Sequence, residues 1–485
     1  MGPESATGHL GAPVDVSSRL IKPDKDSSGQ NSNSFLPQSE LTKIFGGKNI
    51  HEILDSVRKT AGCKHDPINA KKHICGEGGH NQRIKIFAIL MFIDRPCYIV
   101  SFIRNGISDD KLPLDAATHK GCFKSWESRH VWTFCQWQYK VLAPVFDFTT
   151  TLHCKFSCSH IMPFLDALDF KKSGAHGSVS KIRIHRDHQI WKSQADCREV
   201  YAIKSFHRND NEDFRMERDA LERFSRPNVT HDNLIELLFS YEIGADQFMI
   251  FPWAECNLLE FWRKYKSRPS EQDDLIWLIK QCRGLADGLC EVHRYHEKDD
   301  VNEGDLDSKR LGRHGDIKPR NILFFNSQSQ RGRLVVADFT LMRFHAPNTE
   351  HTDAKDVKGF SRTYRPPELD CKEGISLSQK YDIWTLGCVF LEFVTWHHVG
   401  YDALYERCFR QSNGLDYESF SEVRLRDDDE PYGHPDDKFF NRDESLQNNP
   451  KAMVKNSVRR WVDFLKQHPN ASPASKAFLT FILGP

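Results

Sequence analysis

Two glycines three residues apart, Gly174 and Gly177 in KKSGAHGSV, predict a tight turn between two strands. Such a turn lets backbone N–H groups approach triphosphate oxygens with no side chain in the way. An alternating strand, VYAIK, ends on Lys204, and thirteen residues later FRMERDALERF sets Glu217 and Leu221 one helical turn apart. A buried lysine needs a carboxylate to hold its charge and direct it, and Glu217 is the candidate. A surface helix laced with ion pairs through Arg215, Arg218 and Asp219 is the competing reading. RHGDIKPRNILFF gathers Asp316, Lys318 and Asn321 ahead of an apolar strand from Ile322 to Phe325. Asp-x-Lys-Pro-x-Asn is hard to reach by chance. Seventeen residues after Asn321, LVVADFTLMRF places Asp338 at the end of a second apolar strand. HCKFSCSH offers His153, Cys154, Cys158 and His160, four ligand types that zinc accepts. Structural zinc sites usually draw ligand pairs from separated segments, and chain neighbours rarely both reach one ion. A loop or edge strand with ordinary thiols is the favoured reading there.

Taken in order, the segments from about residue 165 to 485 resemble the eukaryotic-type protein kinase superfamily in its serine/threonine form. KKSGAHGSV is similar to G-x-G-x-x-G-x-V through Gly174, Gly177 and Val179, VYAIK to V-A-I-K, HGDIKPRN to H-R-D-L-K-P-x-N, and ADFT to D-F-G. SRTYRPPEL and KYDIWTLGCVFLEFV complete the series, with Glu368 matching the A-P-E glutamate and Asp382 an aspartate that grips the catalytic-loop backbone. The resemblance implies an α+β, two-lobed protein kinase fold with a β-rich N-lobe and an α-helical C-lobe. It implies ATP and Mg²⁺ as cofactors and protein substrates as partners. Asp316 is then the group that orients the acceptor hydroxyl and takes its proton, and Lys318 neutralises the moving phosphoryl group. Asn321 and Asp338 bind the metal. Lys204 reaches the phosphates, Glu217 aims it, Ala202 lies against the adenine, and Trp253 and Ala254 also fall to the nucleotide. The sequence departs from the pattern at Lys172, Gly315 and Thr340, where the family has glycine, arginine and glycine. These departures carry the alternative, a kinase-fold pseudoenzyme acting as an ATP-binding or scaffold module. A phosphate on Ser361 or Thr363 would lack the partner that Gly315 replaces, so control is expected from elsewhere. ASKAFLTFILGP resembles the penultimate C-lobe helix, and the D-P-x-x-R that supplies a partner for Glu368 is missing. Either the C-lobe is incomplete or another group compensates, with Arg459 and Arg460 as the candidate stand-ins.

The elements that position these residues lie behind a long leader. Residues 1–40, polar and rich in Ser, Gly, Asn, Asp and Pro, read as a flexible tail. Residues 41–163 read as a separate mixed α/β block of unknown role, ahead of an N-lobe at about 165–255 and a C-lobe at about 256–485. That block, with GISDDKLPL in it, also resembles, more loosely, kinase-domain proteins of filamentous fungi. It is the candidate for an intramolecular, controlling contact with the kinase domain. Its apolar window IKIFAILMFIDRPCYIVSFI, 84–103, is expected to form two buried strands or a helix and a strand, because Asp94 and Arg95 break it short of a bilayer's width. Lys and Arg together equal Asp and Glu at 67 each, so no overall field favours nucleic acid or an anionic membrane. Fourteen scattered cysteines without a secretory signal suit reduced thiols and an intracellular, cytoplasmic or nuclear, protein. Two insertions, 296–312 and about 415–449, are expected to loop into solvent.

Overall fold

The computed structural model describes residues 16–21, 34–46, 49–61, 67–150, 153–174, 177–193, 197–207, 210–225, 230–265, 272–294, 311–326, 331–345, 361–371, 378–406, 408–410, 416–428, 435–443 and 451–483. The chain divides into two compact units, Met1–Arg208 with Leu238–Pro252, and Asn209–Leu237 with Trp253–Pro485.

The first unit begins with helices α1 (Gln38–Phe45), α2 (Asn49–Ala61), α3 (Pro67–Cys75), α4 (Ile84–Phe92), α5 (Ile99–Arg104), α6 (Lys120–Phe123) and α7 (Ser128–Trp137). Their shared core holds Phe45, Ile53, Phe87, Ile89, Phe102 and Phe134. The 84–103 window is thus two helices, α4 and α5, and not strands. Six residues of α4 are buried on every side, so its apolar run has no periodicity by which a helix could be told from a strand. Asp94, at φ 54°, turns the chain between the two helices. The Asp109 carboxylate accepts the N–H groups of Lys85 (2.9 Å) and Ile86 (3.0 Å), closing the first turn of α4. Part of the stretch read as a tail is packed, since Phe35 and Leu36 are buried.

Strands follow: β1 (Phe146–Asp147), β2 (His153–Phe156), β3 (Phe164–Gly174), β4 (Gly177–Ile184), β5 (Gln189–Ile190), β6 (Val200–Ser205), β7 (Phe239–Ile243) and β8 (Asp246–Pro252). One six-stranded sheet runs β2-β7-β8-β6-β4-β3. β2 joins it as an edge strand parallel to β7, and β1 pairs with β5, so strands from the 41–163 block pair with strands that follow it in the sequence. Phe146 is fully buried among Ile182, Tyr201, Phe239 and Tyr241 on one sheet face. His153 and Cys154 are neighbours on a strand and so point to opposite faces. His153 meets Ser240 Oγ at 3.0 Å, while the His160 ring accepts the Ser157 N–H at 3.2 Å. The four soft ligands form an edge strand and a turn, and among the described residues no group of three or more His, Cys, Asp or Glu could hold a metal. Ten described cysteines are free; Cys97 is disulfide-bonded, which corrects the expectation of thiols throughout.

The second unit is mainly helical. It comprises α8 (Asn211–Phe224), β9 (Cys256–Asn257), α9 (Leu258–Lys264), α10 (Gln272–Arg294), β10 (Leu311–Arg313), β11 (Ile322–Phe325), β12 (Arg333–Val336), β13 (Arg343–His345), α11 (Glu368–Cys371) and α12 (Lys380–Val399). After these come α13 (Asp402–Tyr405), β14 (Cys408–Arg410), β15 (Asp416–Glu418), α14 (Phe420–Arg426), β16 (Phe440–Asp443), β17 (Lys451–Val454), α15 (Asn456–Gln467) and α16 (Pro473–Leu483). A sheet in one unit and helices in the other fulfil the expected α+β kinase architecture. Residues 296–310 of the first insertion lie outside the described residues. No described helix is long and apolar enough to cross a membrane.

In its described residues the second insertion is not a solvated loop. Arg424, Lys438 and Lys455 are buried within it or just after it, and Asp428 is 1% exposed. The Lys455 ammonium donates to the carbonyls of Arg424 and Asp436, both at 2.8 Å, and pairs with Asp428 at 3.1 Å. Charge density in sequence reads as solvent exposure, but here opposite charges meet in the interior and satisfy one another.

Candidate active site

In the first unit, the sheet's register sets the candidate nucleotide residues. Val179 pairs with Lys204 and Lys181 with Ala202 across β4 and β6. Alternation then puts Val179, Ala202 and Lys204 on one face, opposite buried Tyr201 and Ile203. Gly174 and Gly177 face each other across the predicted turn. Gly177 has φ +139°, and a Cβ there would lie 2.1 Å from the Ser205 carbonyl oxygen. Glycine is required at 177 by the close approach of β4 to Ser205, whatever binds beyond it.

In the second unit, the loop after β10 is fixed by one carboxylate. Asp382, fully buried near the start of α12, accepts the N–H of His314 and of Gly315, each at 2.8 Å. His293 at the end of α10 contacts the same carboxylate at 2.8 Å. Burial alone would raise the Asp382 pKa, but the His293 bond, the nearby imidazoles and the Gly315 N–H outweigh it and hold it below the ordinary value. His314 is buried, which pushes its own pKa down. Its Nδ1 accepts the Asp316 N–H at 3.3 Å, and its Nε2 lies 3.2 Å from the Ala337 carbonyl. Gly315 sits at φ +82°, and a Cβ there would approach the Leu341 carbonyl to 3.0 Å. Glycine therefore relieves strain at the position where the family carries arginine.

The loop's side chains converge on Asp316, which is 8% exposed. Lys318 Nζ donates to its Oδ2 at 2.6 Å, and Asn321 Nδ2 donates to the same oxygen at 2.8 Å and to the Asp316 carbonyl at 2.9 Å. β11 and β12 pair from Ile322–Val336 to Phe325–Arg333, and the Ala337 N–H donates to the Asn321 carbonyl at 2.8 Å. That hairpin brings Asn321 and Asp338, distant in sequence, to one end. The Asn321 amide nitrogen is taken up by Asp316, and its carboxamide oxygen and the Asp338 carboxylate are both oxygen donors. Such donors suit a hard divalent cation such as Mg²⁺. Phe339 is buried against His314 (4.8 Å between centroids) and Phe224 of α8 (5.9 Å). Glu217 on α8 is 1% exposed, so the reading as a solvated ion-pair helix fails at this residue. Trp253 and Ala254 follow β8, both half-buried.

Three features were not visible in the sequence. Glu368, expected as a buried carboxylate whose usual arginine partner is missing, is half-buried. The fully buried carboxylate is Glu392 on α12, which pairs with buried Arg424 at 3.4 Å, while Arg459 and Arg460 are exposed. The acidic DDK of the second insertion anchors the segment before α11. Asp436 accepts from Arg365 at 2.6 Å, and Asp437 accepts from the Thr363 hydroxyl at 2.6 Å. Third, Thr340 contacts two carboxylates. Only its departure from glycine signalled it.

A family model described as the protein kinase domain matches residues 174–432. The chain is similar to homeodomain-interacting protein kinase 1 of Caenorhabditis elegans, 26% identical over 243 residues that make up 49% of this chain and 24% of that protein. It is similar to the mouse (Mus musculus) protein of the same name, 25% identical over 58% of this chain and 20% of that one. To cyclin-dependent kinase 8 of Drosophila melanogaster it is 27% identical over 46% of this chain and 44% of the other. The match thus spans a fifth to under a half of the length of these relatives.

Proposed function

This chain belongs to the protein kinase family, and on that premise we propose that it transfers the γ-phosphoryl group of ATP to serine or threonine hydroxyls of protein substrates. The observation that carries the proposal is the convergence of Lys318 and Asn321 on one Asp316 oxygen. Their donation holds the carboxylate in one rotamer, its remaining lone pairs directed at an acceptor hydroxyl. Asp316 takes the proton as the hydroxyl oxygen attacks. Lys318, paired with Asp316 before reaction, stabilises charge on the transferring group. Asn321 and Asp338 would hold Mg²⁺, which would supply charge neutralisation at the phosphates. Lys204, on the face shared with Val179 and Ala202, engages the phosphates, and Gly174 and Gly177 supply backbone approach. Glu217 fixes the position of α8, and Trp253 and Ala254 contact the nucleotide base. The Lys318–Pro319 pair, which resembles the serine/threonine form of this loop, supports hydroxyl acceptors of that kind. The pairing of β2 with β7 supports a working intramolecular contact between the 41–163 block and the kinase sheet.

Nucleotide binding tests the premise of the mechanism. A thermal-shift titration is expected to raise Tm progressively with Mg-ATP and much less with ATP plus a chelator, because a ligand bound only to the folded state stabilises it by mass action. No Mg²⁺-dependent shift at millimolar nucleotide would defeat the assignment of Asn321 and Asp338.

A further inference from the structure

Thr340 stands where the family pattern has glycine, and its side chain is not idle. The hydroxyl oxygen lies 2.7 Å from Glu217 Oε2 and 2.6 Å from Asp338 Oδ1. Thr340 is 2% exposed and Glu217 1% exposed, so their contact lies away from water, where a charge-assisted hydrogen bond is strongest, while Asp338 is half-buried. The three residues come from α8 and from the end of the β11–β12 hairpin, 123 positions apart in sequence for the longer link. Asp338 holds φ +67°, a left-handed conformation that aspartate adopts with the help of local hydrogen bonding to its side chain. A glycine at 340 would leave that conformation without the local bond. Threonine also restricts its own rotamer through the branched Cβ, so the hydroxyl is pre-aimed.

We propose that the Thr340 hydroxyl is a positioning group that ties Glu217 of α8 to Asp338, and that metal affinity at Asp338 depends on this tie. The inference rests on the reading of Asp338 as a metal ligand. A hydroxyl has one proton, so at any moment it donates to one of the two carboxylates. With both carboxylates ionised, the second contact is repulsive, and the repulsion falls when positive charge is placed on Asp338. Donation then passes to Glu217, and α8 is drawn to the hairpin. Metal occupancy and the order of α8 are thereby linked, and linkage acts in both directions. Glycine in this position gives the family a mobile joint; threonine gives this chain a fixed one.

The test uses the full chain with Thr340→Val, which keeps the shape and removes the hydroxyl, and Thr340→Ser, which keeps the hydroxyl. Binding of a fluorescent ATP analogue is titrated with Mg²⁺. Thr340→Val is expected to raise the Mg²⁺ concentration at half-saturation by about tenfold, the scale of one hydrogen bond to a charged group. Metal-free nucleotide affinity should stay within about twofold, and Thr340→Ser should return the midpoint to within about threefold of wild type. An unchanged midpoint in Thr340→Val, or a serine variant as impaired as the valine one, overturns the proposal. Hydrogen exchange of residues 211–224 without ligand separates this failure from failure of the metal assignment. There Thr340→Val should speed exchange about tenfold and Thr340→Ser should not. If wild type shows no Mg²⁺-dependent binding, the metal assignment falls and the dependence on metal with it. The tie itself stands or falls on the exchange rates.

Discussion

Asp316→Asn is expected to lower phosphoryl transfer by about 10²–10⁴-fold, the usual contribution of a positioned acid–base group, while Mg-ATP affinity stays within about twofold. The substitution keeps the volume and the acceptor oxygen that Lys318 and Asn321 address. It removes the anion that accepts the substrate proton, an interaction made in the transition state and absent from the nucleotide-bound ground state. The loop should survive, because its backbone is held by Asp382 through His314 and Gly315 and not by Asp316. Retention of more than about a tenth of the activity would remove Asp316 from the base role.

Arg424→Ala carries the largest expected effect on stability, a loss of about 3–5 kcal/mol, because it strands the Glu392 carboxylate in the interior. Arg424 and Glu392 are both fully buried, and the guanidinium lies 4.1 Å from the Phe420 ring centroid and 4.2 Å from that of Phe439. Its Nε donates to the Asp437 carbonyl at 2.7 Å, so the packing of the second insertion is lost along with the charge. Burial raises the Glu392 pKa, against the pull of Arg424 and the hydroxyl donation of Tyr364 and Tyr405 at 2.7 and 2.9 Å. A carboxyl whose folded pKa is raised contributes most stability below its unfolded value and loses it as pH rises through the folded one. Without Arg424 the folded pKa rises further. The deficit of the variant should therefore shrink from pH 7 toward pH 5, as the carboxyl enters the core neutral. Urea unfolding at the two pH values measures this, and a pH-independent deficit, or one below about 1 kcal/mol, would show that the pair is not the anchor described.

These two residues also mark what the sequence discloses and what it hides. Asp316 is legible because its partners are two and five positions away, within one loop, and chemistry fixes that spacing. Asn321 and Asp338 are legible for a related reason: each ends or begins a short apolar strand, and a hairpin brings such ends together. Arg424 is hidden because its partner is 32 positions away on another helix, in a segment whose charge reads as solvated. The α4–α5 pair is hidden for the opposite reason, a run so apolar that neither period shows. Gly315 is legible as a lost phosphate partner, but its left-handed backbone is set by the fold around Leu341 and leaves no mark in the sequence. Thr340 was visible as an exception and silent as to its use until Glu217 was seen beside it.

The most direct test of the account is transfer of label from γ-labelled ATP, with Mg²⁺, from the full chain to a generic basic protein substrate, followed by acid hydrolysis and separation of the phosphoamino acids. The account predicts label in phosphoserine or phosphothreonine with wild type, and none above background with Asp316→Asn. Mg-ATP binding without transfer to any protein would contradict it and leave the pseudoenzyme reading, and label confined to phosphotyrosine would contradict the acceptor assigned through Lys318 and Pro319.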